Sequence, residues 1–102
     1  MRIDFTRPLF DFSGEVLRDG DKPLVLGVVT VNALMGIYPD EQNLDGREKV
    51  RRYRLATSIY SANGPLDLPA EDIAMCKQLI GKGFSTLVAG QAIPMLERGA
   101  NS

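Results

Sequence analysis

The sequence contains no histidine and no tryptophan, and it has a single cysteine, Cys76. Without histidine the chain cannot form a Ser-His or Cys-His catalytic couple, and it has no side chain that ordinarily titrates near neutral pH. One cysteine cannot close an internal disulfide, and it falls short of the roughly four ligands of a structural zinc site. We therefore predict that the protein is not an enzyme and has no catalytic residues, no metal and no cofactor.

Long apolar runs are also missing. The longest, around "PLVLGVV" (23–29), is much shorter than the roughly 20 residues that span a bilayer. The start, "MRIDFTRPLF", lacks the basic-then-apolar pattern of a secretory signal. The formal net charge is -1, and 25% of residues are charged, which is ordinary for a globular domain. We predict one cytoplasmic domain over residues 1–102, with no membrane partner.

Short strands and tight turns are predicted for the first quarter of the chain. Ser13-Gly14 and Asp19-Gly20 are hairpin signals, because glycine tolerates the positive φ that such turns need. The strand-like segments are 3–5, 8–12 and 15–17. Three short strands are marginally stable alone, so they must pack on the rest of the chain. Residues 1–26 are therefore predicted to be mainly a small antiparallel β-meander.

The segment 23–36 has two competing signals. Its β-branched residues favour a strand. However, Leu24, Val28, Val31 and Met35 have the spacing of one helical stripe, and fourteen residues is long for a strand. We predict a short strand at 23–26 that leads into a buried helix at about 27–35, ended by Gly36.

Helices are predicted for most of 27–98, with a loose tail at 99–102. Asp45 is a plausible N-cap for a helix over about 46–62, and Glu48 completes an approximate capping box. Pro69 suits the entry of a helix within 66–83, whose buried stripe contains Ile73, Cys76 and Ile80. The last helix, 85–99, begins at Ser85 or Thr86 and turns Leu87, Val88, Ala92 and Leu96 inward, and Pro94 should kink or restart it. The predicted fold class is α+β, a meander packed on three to four helices.

Five positive charges are concentrated in "REKVRRYR" (47–54). At helical spacing, Arg47, Arg51 and Arg54 share one face, while Val50, Tyr53, Ala56 and Tyr60 are expected roughly opposite. Three explanations remain open for this face: simple solvation, an arginine-rich protein interface, or nucleic-acid binding. Nucleic acid is the least favoured, because three phosphate contacts give a log–log salt slope of only about −2.7.

Aromatic and apolar residues exceed what a small core obviously needs. The surplus set is Phe10, Phe12, Ile37, Tyr38, Tyr53 and Tyr60. We take Tyr38 and Tyr53, with Arg47, Arg51 and Arg54, as a candidate interaction surface for a protein partner, and we expect a homo-oligomer.

Two other motifs are explained structurally. "GKGFST" (81–86) fails the phosphate-loop pattern, and Glu71 and Asp72 diverge by about 100° on a helix instead of converging as an acid–base pair.

Four segments carry a resemblance to a known family: "IDFTRPLFDFSGEVL", "LGVVTVNALMG", "YRLATSIY" and "LDLPAEDIAMCKQLIGKGFSTLVAGQAIPMLE". In this order they resemble a family of small proteins that tailed bacteriophages and prophages encode. Pro69 and Pro94 depart from the family's pattern, and the family has no settled activity, so no catalytic residues carry over. The resemblance implies a phage accessory protein.

The predicted function is therefore non-enzymatic protein binding, which either assists virion tail or head assembly or engages a host protein. The alternative is a weak nucleic-acid-binding module that uses the basic face of the 46–62 helix.

Overall fold

Four helices and two small antiparallel sheets form the α+β fold of the computed structural model, which describes residues 1–99. The strands are β1 (Arg2–Ile3), β2 (Arg18–Asp19), β3 (Lys22–Pro23) and β4 (Leu66–Asp67). The helices are α1 (Leu26–Met35), α2 (Gly46–Ser61), α3 (Ala70–Gly83) and α4 (Thr86–Arg98), with a 3-10 turn at Pro39–Glu41. No helix within residues 1–99 is long and apolar enough to cross a membrane.

The predicted meander is right in its two turns and wrong in its first strand. Gly14 and Gly20 have φ values of 90° and 65°, the left-handed region that glycine occupies without a steric cost. Phe10 pairs with Val16 around the first turn, and β2 pairs with β3 around the second. β1, however, pairs with β4. Turn signals identify only partners that are close in sequence, so they could not reveal this pairing.

Helix α1 begins within one residue of the predicted position and ends before Gly36, as expected. It has no side-chain N-cap. Instead, its first amides are satisfied by the preceding chain: Leu26 N–H donates to the carbonyl of Arg7 and Gly27 N–H to that of Phe5, both at 2.8 Å. A Cβ at Gly27 would lie 3.1 Å from the Phe5 carbonyl oxygen, so glycine permits this close approach.

The buried face of α1 differs from the predicted one. The residues buried are Leu26, Val29, Thr30, Ala33 and Leu34, whereas Met35 of the predicted stripe is exposed. Helix α1 contacts α2, α3 and α4. It is apolar on nearly all sides, so sequence periodicity could not identify the more deeply buried face. Thr30 is tolerated there because its Oγ1 donates to the carbonyl of Leu26 at 2.8 Å.

Helices α3 and α4 complete the core largely as predicted. Ile73, Cys76 and Ile80 are buried in α3, and the Ser85 side chain caps α4 by accepting from the N–H of Val88. Ala92 and Leu96 are fully buried in α4, while Leu87 and Val88 are partly exposed.

Two details at the C-terminal end differ from the prediction. Of the two effects predicted for Pro94, a kink or a restart, the restart does not occur: α4 continues through Pro94, and Leu96 beyond it is buried in the core. Gly99, assigned to a loose tail, is buried, and its amide donates to the carbonyl of Met95. The rest of that predicted tail, residues 100–102, lies outside the described residues.

Candidate interaction groove

A groove of about 970 Å³ lies between the first half of α2 and the segment from β4 to the start of α3. A helix has 3.6 residues per turn, so positions 47, 51 and 54 fall on one side of α2. The three predicted arginines, Arg47, Arg51 and Arg54, all line the groove. Its apolar lining includes Val50, Leu66, Leu68 and Pro69. We call this site the arginine groove.

Arg51 is already paired within the protein. Its Nη2 lies 2.8 Å from Oδ1 of Asp72, and its Nη1 lies 3.4 Å from Oε1 of Glu48. The hydrogen bond to Asp72 is the largest of the effects that raise the pKa of Arg51. Because Asp72 belongs to α3, the pair connects α2 to α3 across the groove. The side chain of Arg51 is therefore held in place at the groove, and its positive charge is largely neutralised by the two carboxylates.

Arg47 and Arg54 differ from Arg51. Both are exposed, and neither forms an ion pair with any residue from 1 to 99. They stand two helical turns apart with Arg51 between them. The groove also contains the carboxylate of Asp67, which lies 2.9 Å from the amino group of Met1. The charge left uncompensated in the groove is therefore positive, and Arg47 and Arg54 carry it.

The apolar floor of the arginine groove consists of four of its lining residues, Val50, Leu66, Leu68 and Pro69. The sequence analysis missed this floor. Val50 was expected opposite the arginines, but it is three residues after Arg47 and four before Arg54, and it lines the same groove at 50% exposure. These spacings bring side chains to neighbouring positions on a helix. Leu66 and Leu68 come from the segment on the opposite side. These two residues follow the end of α2 by only five and seven positions, but their place beside Val50 depends on the β1–β4 pairing, which positions their segment and which local patterns do not reveal.

Tyr53 belongs to a different surface. It is 61% exposed and lines a second depression of about 610 Å³, together with Met35, Ile37 and Leu44. Nothing in that depression is shared with the arginine groove. The five predicted surface residues therefore do not form one site: the three arginines come together and Tyr53 lies apart from them.

Tyr38 is a core residue, and its assignment to the interaction surface is wrong. Its Oη–H donates to the carbonyl of Ala33 at 2.6 Å, which anchors the loop after α1. It is only 8% exposed, and burial is the main cause that raises its pKa. A Cβ at Gly36 or Gly83 would lie 2.9 Å or 3.1 Å from the Tyr38 hydroxyl oxygen. These two glycines leave the space that the ring occupies.

Arg52 is the charged residue that sequence reasoning overlooked. It is 7% exposed, and its Nη1 and Nη2 contact the two carboxylate oxygens of Glu41 at 2.8 and 2.7 Å. This bidentate geometry gives strong, directional hydrogen bonds. The hydrogen bond from Arg52 is the main cause that lowers the pKa of Glu41. The sequence does contain a pattern that places Arg52 on the buried face of α2, because Arg52 precedes the buried residues Leu55, Ala56 and Ile59 by three, four and seven positions.

Lys82 of α3 extends this cluster. Its Nζ lies 2.8 Å from a carboxylate oxygen of Asp40 and 3.6 Å from one of Glu41. It also lies 5.5 Å from the centre of the Tyr38 ring, within range of a cation–π contact. The loop before α2 is thereby held to both α2 and α3. These ionic residues are explained as structural, because each pairs with a side chain of another segment.

The only thiol is not positioned for chemistry. Cys76 is fully buried, and burial raises its pKa to about 12, so the thiol remains protonated at neutral pH. A reactive cysteine requires the thiolate form and access to solvent. Within residues 1–99, no group of three or more acidic, cysteine or histidine side chains could hold a metal ion.

Comparisons with known proteins give no relative. The chain matches no family model, no curated protein and no solved structure significantly.

Proposed function

We propose that this chain is a non-enzymatic accessory protein of a tailed bacteriophage, which acts in the host cytoplasm by binding another protein through the arginine groove. The observation that carries the proposal is the combination of two uncompensated arginines, Arg47 and Arg54, with an apolar floor. Arginine is among the residues that contribute most at protein interfaces, and it does so where surrounding contacts exclude water. The sequence resemblance to small phage proteins supports the proposal that the protein belongs to a tailed bacteriophage.

Two roles are consistent with binding at this groove. The protein assists the assembly of a virion tail or head by holding a structural protein, or it binds a host protein and changes its activity. The two roles differ in the partner. They are distinguished by affinity capture of the tagged chain from phage-infected cells, with the bound proteins identified by mass spectrometry.

Capsid or tail components in the captured fraction support the assembly role, and a single host protein supports the host-directed role. The experiment needs two variants. Arg47→Glu/Arg54→Glu reverses the groove charges, and Arg18→Glu/Arg98→Glu makes the same change of net charge at exposed positions elsewhere. Protein binding through the groove predicts that only the first variant loses the partner. If neither the wild type nor the control captures a partner above an untagged sample, the proposed function is wrong.

We also propose that the chain self-associates through a surface other than the arginine groove. Ile37 is fully exposed, and Met35 and Tyr53, which line the same depression, are more than half exposed. A standard interface buries about 800 Å² per partner, roughly one eighth of the 6436 Å² surface of this chain. Sedimentation velocity should show a mass above that of a monomer, and Ile37→Asp should reduce it without lowering the melting temperature. A monomeric wild type at high concentration would exclude self-association.

A further inference from the structure

We infer that the occupant of the arginine groove is an extended segment of a partner protein that carries two carboxylates with an apolar side chain between them. This inference rests on the proposed function and specifies the chemistry of the partner. The charge pattern supports it first. Arg47 and Arg54 are exposed and unpaired within residues 1–99, and Val50 lies on α2 between them. A ligand that complements this pattern is acidic at both ends and apolar in the middle.

The same pattern is poorly suited to nucleic acid. Arg51 is occupied by Asp72 and Glu48, so two arginines remain for phosphates. Two contacts give a log–log salt slope of about −1.8, less than sequence-independent binders usually show. The apolar floor also offers nothing to a sugar–phosphate backbone.

The spacing of the arginines suits an extended chain. Seven residues of helix separate Arg47 from Arg54, about 10 Å along the axis. An extended chain covers about 3.3 Å per residue, so carboxylates two to four residues apart can reach both guanidinium groups. A groove of about 970 Å³ is at the upper end of the range for small-ligand sites, which is enough for a short segment of peptide.

Strand β4 offers one point of backbone attachment at the edge of the groove. Leu68 exchanges both backbone hydrogen bonds with Met1, at 2.9 Å each. In an antiparallel ladder, hydrogen-bonded residue pairs alternate with pairs that are not hydrogen-bonded to each other. The next pair, Arg2 and Asp67, is of the second kind, so its N–H and C=O groups point away from the partner strand. No loop backbone or side chain within residues 1–99 hydrogen-bonds those groups of Asp67. A partner segment can therefore form a pair of hydrogen bonds there.

Two prolines restrict this edge to that single residue. Pro65 and Pro69 lie two residues before and after Asp67, at the positions whose backbone groups would point outward in the same way, and proline has no N–H to donate. The carbonyl of Pro69 is also used, since it accepts from Asp72 and Ile73. Prolines at a sheet edge prevent indiscriminate pairing with other strands. Asp67 thus fixes the register of the segment, while Arg47, Arg54 and the apolar floor select its side chains.

Selection from a yeast-displayed library of random short peptides tests this inference with the full chain as bait. The expected result is enrichment of peptides with two acidic residues two to four positions apart and an apolar residue between them. Their affinity, measured by fluorescence anisotropy, should fall at least about tenfold for Arg47→Glu/Arg54→Glu and should weaken with added salt. The charge-matched control, Arg18→Glu/Arg98→Glu, should bind like the wild type.

Several results would overturn the inference. They are no enrichment, enrichment without an excess of acidic residues, and enrichment that the groove variant does not reduce. An oligonucleotide that binds more tightly than the selected peptides, with the same sensitivity to the groove variant, would identify nucleic acid as the occupant instead. A partner that only the groove variant fails to capture, together with a peptide library that shows no acidic enrichment, would leave the proposed function standing and would reject only the acidic segment. A partner captured equally well by the groove variant would reject the groove as the binding site, and the acidic segment with it.

Discussion

Replacing Arg52 by methionine should destabilise the protein strongly. Methionine keeps the unbranched, apolar part of the side chain but removes both hydrogen bonds to Glu41. The side chains of Arg52 and Glu41 are 8% and 16% exposed, so the change leaves a largely buried carboxylate, with Lys82 as a more distant partner at 3.6 Å. Breaking a buried pair on one side costs about 3–5 kcal/mol, and we expect about 3 kcal/mol here because Lys82 remains. For a domain of this size the melting temperature should fall by about 15 °C.

Urea unfolding followed by circular dichroism measures this loss. The double variant Arg52→Met/Glu41→Gln removes both charges, so it should lose at least about 1 kcal/mol less than the sum of the two single variants. A loss below about 1 kcal/mol for Arg52→Met, or additive single effects, would show that the pair is not the anchor of the loop before α2.

The same variant should change the dependence of stability on pH. The hydrogen bonds from Arg52 lower the pKa of Glu41 below its ordinary value of 4.5. A depressed carboxyl pKa stabilises the folded state above the unfolded-state pKa, and this contribution is lost as the pH falls through the folded-state pKa. The difference in unfolding free energy between wild type and Arg52→Met should therefore shrink as the pH falls from about 5 to about 3. A difference that stays constant over this range would contradict the assignment.

Three further predictions concern side-chain burial and packing. Tyr38→Phe removes the hydrogen bond to Ala33 and should lower the unfolding free energy by about 1 kcal/mol, whereas the exposed control Tyr60→Phe should change nothing. In urea unfolding, Gly90→Ala should raise the unfolding free energy by about 0.5–1 kcal/mol, since a Cβ there meets nothing within 4 Å. Gly36→Ala should lower it by about 1–3 kcal/mol, since its Cβ would lie 2.9 Å from the Tyr38 hydroxyl oxygen. Equal effects of the two variants would refute the packing described. Cys76 should react with an aromatic disulfide reagent only in urea, and rapid labelling of the native protein would contradict its burial.

The sequence analysis predicted the helix limits best because their signals are local. Asp45 and Ser85 precede α2 and α4, Pro69 precedes α3, and Gly36 follows α1. The predicted capping box of Asp45 and Glu48 is nevertheless wrong, because the Asp45 side chain forms no cap hydrogen bond. The grouping of three arginines on one face of α2 was predictable for the same reason, since helical spacing alone determines it. No partner from another part of the chain is needed for any of these features.

Long-range features could not be predicted in this way. β1 pairs with β4, more than sixty residues later, and this pairing brings Leu66 and Leu68 to the groove. The burial of Arg52 and Tyr38 depends on partners in other segments, so composition and periodicity assigned Tyr38 to the surface. Helix α1 is apolar on most sides, and only its packing against three other helices decides which face is buried.

The most direct test of protein binding at the arginine groove is photo-crosslinking inside phage-infected cells. Benzoylphenylalanine at position 50 places the reactive group on the groove floor, and the same residue at position 60 places it on an exposed face outside the groove. Binding at the groove predicts a discrete adduct with another protein at position 50, no such adduct at position 60, and loss of the adduct when Arg47 and Arg54 are changed to glutamate. No adduct at position 50, or equal adducts at both positions, would contradict it.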